Sequence, residues 1–300
     1  MKSKAFTVVV MLVMVLTGAA YWADLSLFIN PATGFVQTGP LWVRYVVLAA
    51  VLVLAAFGLR GVSPHAIGVL RVKNRKLSIL FVLAGVSGLV FGVFSAALAV
   101  PSLVAVTLDS EPVLALVVSV VYQLLLGLLF VWYGIWMLLA ARQLQKQSRP
   151  SPTQSAGPGM LAAMPFCLQT VYRVLINPSS VYRTANIVHI FTALFSMLWF
   201  GMLLRALYIA LVRQRVRWMY LFGLVTFLFA TCLEFAGALH TIVAGEFALL
   251  PLLEGICTGF FGLTAGVVSI SIVSINTAPG APALGNAPKP EKKVYRRAQF

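Results

Sequence analysis

An all-α bundle of transmembrane helices is the fold class this sequence predicts, on three observations. The 300 residues are 61% hydrophobic and only 10% charged, with a mean hydropathy of +0.97. Soluble domains are about 45–50% apolar and about 25% charged, so too little polar surface remains here to cover a water-facing core. Several apolar runs approach or exceed the roughly 18–20 residues that cross a bilayer, and most Lys and Arg residues lie between those runs or in the tail.

The pattern resolves into eight spans, at residues 5–22, 45–59, 78–100, 113–141, 160–176, 187–212, 218–243 and 249–275. The first follows Lys2 and Lys4. Its apolar run to Leu16 and the small residues Gly18, Ala19 and Ala20 also read as a cleavable signal peptide, and either reading leaves the chain after Tyr21 outside. In the third, Gly88, Gly92, Ser95 and Ala99 share one helical face that permits close helix contact. The fourth, at 29 residues, exceeds a perpendicular crossing and implies tilt or an interfacial extension. The fifth is the weakest, with Pro165, Gln169 and Arg173 in seventeen residues. The eighth begins near Glu254 and carries a second small face, Gly255, Gly259, Gly262 and Gly266, expected to pack or to line a narrow path.

Charge placement decides whether the fifth span crosses. With eight spans and both termini cytoplasmic, 19 of the 22 Lys and Arg lie inside, leaving only Arg44, Arg173 and Arg183 in the outer half. Without the fifth crossing, Arg213, Arg215, Arg217 and the basic tail move outside, against the positive-inside bias. The net charge of +15 is therefore an orientation signal and not the footprint of nucleic-acid binding. Trp22 and Trp42 around the first outer loop, with Trp132, Trp136 and Trp218 near inner ends, fit an interfacial aromatic belt. Cys167, Cys232 and Cys257 have neither disulfide nor zinc-site spacing and read as small hydrophobes.

The organisation is a four-span N-terminal scaffold (residues 1–141), a flexible cytoplasmic linker (142–159), a four-span C-terminal half (160–275) and a disordered basic tail (276–300). Ile29-Asn30-Pro31 after the first span and Ile176-Asn177-Pro178 after the fifth suggest a four-plus-four parallel internal repeat. Asn before Pro is by itself a turn and helix-start signal. In the tail, Lys289, Lys292, Lys293, Arg296 and Arg297 are expected to meet anionic lipid headgroups, at roughly 1 kcal/mol each, or simply to fix orientation.

Ionisable side chains inside a bilayer need a partner, a wet cavity or a nearby interface. By these span boundaries the first four interiors hold none, whereas the last four hold Arg173, His189, Arg205, Glu234, His240 and Glu254. Arg205 is close enough to the inner end of its span to snorkel. Counted along their helices, Arg173 and Glu234 lie roughly 20 Å and 24 Å from the inner boundary, which makes a buried ion pair geometrically possible. His189 and His240 fall in the outer leaflet, where Asp109, Glu111, Glu246 and Glu254 add negative charge. Two such histidines suit haem b ligation, a divalent-cation or proton site, or plain interfacial packing. No nucleotide, metalloprotease or serine-hydrolase motif occurs.

The sequence thus predicts a non-enzymatic multi-pass protein of the cell membrane, without a cofactor. Its C-terminal half would bind or translocate a small cation, a proton or a polar solute at Arg173, His189, Glu234, His240 and Glu254. The alternative is a structural or regulatory membrane subunit with no ligand of its own. A bis-histidine haem b redox protein ranks third.

Overall fold

Each apolar run folds as helix in the computed structural model, which describes residues 2–30, 35–62, 74–108, 114–146, 156–176, 183–208, 213–245 and 248–274. In chain order the elements are α1 (Lys2–Leu27), α2 (Leu41–Phe57) with a 3-10 turn at Gly58–Gly61, α3 (Arg75–Leu108), α4 (Leu114–Lys146), α5 (Gly157–Ile176) and α6 (Thr184–Tyr208). Then come α7 (Arg213–Thr226), a π-helical segment (Phe227–Glu234), α8 (Phe235–Val243) and α9 (Leu249–Ser274). Among the described residues there is no strand, only an isolated antiparallel bridge between Ile29 and Val36. Among the described residues seven helices are long and apolar enough to cross a membrane, the rod α7–π–α8 counting as one. Leu16, Val53, Val93 and Leu128 are exposed on the outside of the bundle. An apolar exterior on helices that satisfy their own backbone is what lipid requires, and these features fit a multi-pass integral membrane protein.

α5 is not among those seven helices, yet its packing runs end to end. Trp132 Nε1 on α4 donates to the Pro158 carbonyl at the start of α5 (3.0 Å), while Tyr172 near its end stacks on Tyr122 of α4. On α6, Gly159 approaches Leu204 and Tyr208, and Arg173 reaches the His189 carbonyl. From 189 to 204 is fifteen residues of α6, roughly 22 Å at 1.5 Å per residue, so α5 runs antiparallel to α6 over most of an apolar core about 30 Å thick.

Two helix pairs form the densest packing. In the α3/α4 hairpin, Ser78 Oγ donates to the Ala141 carbonyl (2.9 Å) and Ser95 Oγ to that of Gln123 (3.2 Å). Asn74 caps α3 by accepting the Leu77 N–H (3.1 Å). A Cβ at Gly92 would sit 2.6 Å from the backbone nitrogen of Val131, so these helices meet backbone to backbone. At 34 and 33 residues, α3 and α4 are each about 50 Å long, and α3 continues through Pro101 beyond the predicted end of its span. The second pair sets α9 against the rod. Gly255, Gly259, Gly262 and Gly266 receive Ala238, Phe235, Ala230 with Thr231, and Phe227 in turn. This small-residue face is therefore filled by helix contacts and does not line a path.

Four sequence expectations change. Ile29-Asn30 starts no helix: Asn30 N–H bonds to the Phe35 carbonyl (2.9 Å), and α2 begins only after Pro40. α1 extends past Trp22 and α2 starts before Tyr45, which brings Asp24 and Arg44 into helices of the N-terminal half as a bidentate pair (2.6 and 2.7 Å). Trp136 is not interfacial but 1% exposed, packed on Phe200 at 5.2 Å between centroids. The two halves also pack differently. α6 packs on the rod, whereas among the described residues α2 packs mainly on α1 and makes no substantial contact with α3. Gly18, counted above with the signal-peptide residues, faces the Cys232 carbonyl so closely that it has a packing reason to be small.

Asp109, Glu111, Glu246, Asn177-Pro178, residues 147–155 of the linker and the whole basic tail with Lys289, Lys292, Lys293, Arg296 and Arg297 lie outside the described residues, while the linker's two ends belong to α4 and α5.

Candidate functional site

Arg173 lies one turn from the end of α5 and bridges three other elements. Its Nη2 contacts Oε1 of Glu254 on α9 at 2.6 Å and Oε1 of Glu234, the last residue of the π segment, at 3.3 Å. Its Nη1 donates to the backbone carbonyl of His189 in the second turn of α6. The planar guanidinium makes this possible, since its fork presents donors in several directions at once and an ammonium does not. Gln169, one turn earlier on α5, donates Nε2 to the same Glu254 oxygen at 2.6 Å. The His189 ring closes the cluster, with Nδ1 3.4 Å from Glu234 Oε1.

Exposure rises across the cluster. The Glu234 side chain is 1% exposed, Arg173 11%, Glu254 24% and His189 47%, so the group forms a buried floor with a wetter rim. The charges do not cancel, because one guanidinium faces two carboxylates. With His189 neutral the cluster carries one surplus negative charge.

Arg173, His189 and Glu254 line a cavity of about 350 Å³ at the end of the bundle where α4, α6 and α9 begin. Tyr122 and Tyr172 form one wall, their rings stacked at 3.5 Å and 7°. Ser95, Ser119, Gln123 and Asn186 add polar groups, and Phe91, Leu126 and Leu250 apolar surface. No family model, curated protein or solved structure matches this chain.

Deeper in the bundle, reached from the cavity-lining Phe91 through its edge-on contact with Phe130 (4.9 Å), lies a plug of aromatic side chains. Phe130, Tyr133, Phe166, Phe200 and Phe261 interlock with centroid separations between 4.7 and 6.1 Å, and Trp136 and Trp199 seal their edges. Phe166 lies seven residues before Arg173 on α5 and Phe261 seven after Glu254 on α9, roughly 10 Å along each helix. All seven of these aromatic side chains are buried. The bundle is thus densely packed about two helical turns deeper than Arg173 and Glu254.

Of the five site residues named from sequence, the structure gathers Arg173, Glu234, Glu254 and His189. His240 stands apart: its Nε2 meets Ser26 Oγ at 2.9 Å, and its ring packs edge-on against Trp22 at 6.0 Å. With separate partners, His189 and His240 are not arranged as axial ligands of one haem. Among the described residues no group of three or more His, Cys, Asp or Glu side chains is placed to hold a metal ion. Gln169 was legible only as a polar residue weakening α5. The Tyr122–Tyr172 wall gave no signal, since single tyrosines in apolar runs are ordinary.

Proposed function

We propose that this chain is an eight-span membrane protein that binds, and by reopening on the other side translocates, a small positively charged or polar solute. The carrying observation is the cluster of Arg173, Glu234, Glu254 and His189, with one surplus negative charge when His189 is neutral, three of whose members line a cavity near one end of the bundle. Intramembrane charges that form a site face a cavity and pair with one another, as these do. The end-to-end course of α5 supports an eighth crossing, and the basic-residue bias then places both termini in the cytoplasm and the cavity mouth outside. The aromatic plug acts as the closed inner gate, which transport would have to open. Reporter fusions after residues 146, 180 and 300 test the topology: inside, outside, inside is expected, and an outside signal at 300 would overturn it.

For the function, the protein is reconstituted into vesicles on a sensor membrane and given concentration jumps of ammonium, sodium or organic cations. A transient current that disappears in Glu254→Gln and Glu234→Gln is expected. If no tested solute moves charge or raises the thermal stability of the wild-type protein, the reading fails. A second reading then takes its place, that of a structural or regulatory subunit. It is favoured by the way Arg173 clips α5, α6, α9 and the rod together.

A further inference from the structure

Resting on that reading, we infer that the solute is an organic ammonium ion with an apolar body, held by Glu254 and the Tyr122–Tyr172 wall. Three ligand classes compete for this cavity, and its free valences separate them. An anion would need the guanidinium, but Arg173 is already spent on two carboxylates and the His189 carbonyl. A bare metal ion needs several oxygen ligands at short range, about six to eight for calcium. Here Oε1 of Glu254 already accepts both Arg173 and Gln169, and Glu234 lies beneath at 1% exposure. The volume of about 350 Å³ is also roughly a dozen times the space of one water, far more than an alkali ion fills.

An alkylammonium fits what remains. Both hydrogen bonds to the Glu254 carboxylate converge on Oε1, which leaves Oε2 as an acceptor for a ligand N–H. Both stacked tyrosines line the cavity, and aromatic rings attract a cation within about 6 Å of their centroids. Phe91, Leu126, Ile190 and Leu250 supply apolar wall for a hydrocarbon body, while Asn186 and Gln123 add polar contacts near it. A few placed polar groups in a mostly apolar pocket orient a small molecule without binding every cation alike.

The test measures benzylammonium binding to the full-length protein in nanodiscs by calorimetry, with benzyl alcohol, benzoate and sodium as comparisons. Benzylammonium is expected to bind at least about 10-fold more tightly than benzyl alcohol, as a charge-assisted hydrogen bond requires. Glu254→Gln should abolish that preference. Tyr122→Leu makes no change to the ion pairs, and it should weaken benzylammonium by about 2- to 30-fold with little effect on benzyl alcohol. Since Glu254→Gln risks misfolding, the Tyr122 variant and the ligand comparison stand without it. Benzylammonium binding no tighter than benzyl alcohol, or equally well to the Tyr122 variant, overturns the inference. If sodium binds while no amine does, the ligand class is wrong but the cation-site reading survives; if none of the four binds, both fall.

Discussion

Removing the Arg173 charge has a calculable consequence, because its partners differ in depth. In Arg173→Gln, Glu234 stays at the floor of the cluster, 1% exposed, with the His189 ring and the Thr192 side chain still near its carboxylate but no fixed positive charge. Breaking a buried pair from one side typically costs about 3–5 kcal/mol, since the remaining charge has neither water nor counterion. At roughly 2 °C per kcal/mol for a chain of this size, thermal unfolding in detergent should fall by about 6–10 °C. Adding Glu234→Gln removes the stranded charge and should recover at least half of that loss, a coupling of about 1.5–3 kcal/mol. A charge swap would be a poor test of the pair, because a carboxylate placed at 173 would point at Glu254, which the Arg173 guanidinium now contacts at 2.6 Å. Fluorescence-detected melting of the wild type, both singles and the double variant gives the cycle directly. A double variant no more stable than Arg173→Gln alone would refute the pairing argument.

Three further outcomes follow from packing and charge. Gly255→Val places side-chain atoms on Ala238, and overpacking of about 1–3 kcal/mol should lower the melting temperature, whereas Gly201→Ala meets nothing within 4 Å and should leave melting nearly unchanged. Arg44→Met strands Asp24 at 17% side-chain exposure, between a surface and a buried pair, for about 1–3 kcal/mol in the same melting assay. Phe261→Ala opens the centre of the aromatic plug and should cost about 3–5 kcal/mol; a cysteine-reactive probe added from the cavity side should then label Cys257 faster than in the wild type.

Much of this architecture was legible because the bilayer imposes a coarse rule: a run of apolar residues must be a helix, and a charge within it must find a partner. Counting 1.5 Å per residue put Arg173 and Glu234 at similar depth before any packing was known. The same counting missed Asp24 and Arg44, because hydropathy cut the spans at Trp22 and Tyr45 while the helices run on. Depth also says nothing about azimuth. Glu254 and His240 both lie near helix ends at one face, yet α9 turns Glu254 inward to Arg173 while α8 turns His240 toward Ser26. Neighbour identity decides that difference, and one sequence does not carry it.

The π segment is the feature furthest from sequence reach, and it has a mechanical reason. On the rod, Gly223 faces Ser269 of α9, and fifteen residues further on Ala238 faces Gly255. The matching distance along α9, from 269 to 255, is fourteen residues. One extra residue must therefore be absorbed between two faces that both point at α9. Wound as regular α-helix, it would turn one of them away by about 100°. The wider winding over Phe227–Glu234 absorbs it, ends on Glu234 and delivers that carboxylate to Arg173. Deleting Ala230, the smallest residue in the segment beside its neighbours, should then let the segment wind as α-helix with both faces kept. The protein should still fold, and the coupling between Arg173 and Glu234 in the double-variant cycle should persist. Deleting Leu221 on α7 instead leaves the extra residue of the π segment in place and removes one where none is spare, so Tyr220 and the helix before it rotate away from Ser269. If the Ala230 deletion is as damaging as the Leu221 deletion, the π segment does more than take up one residue.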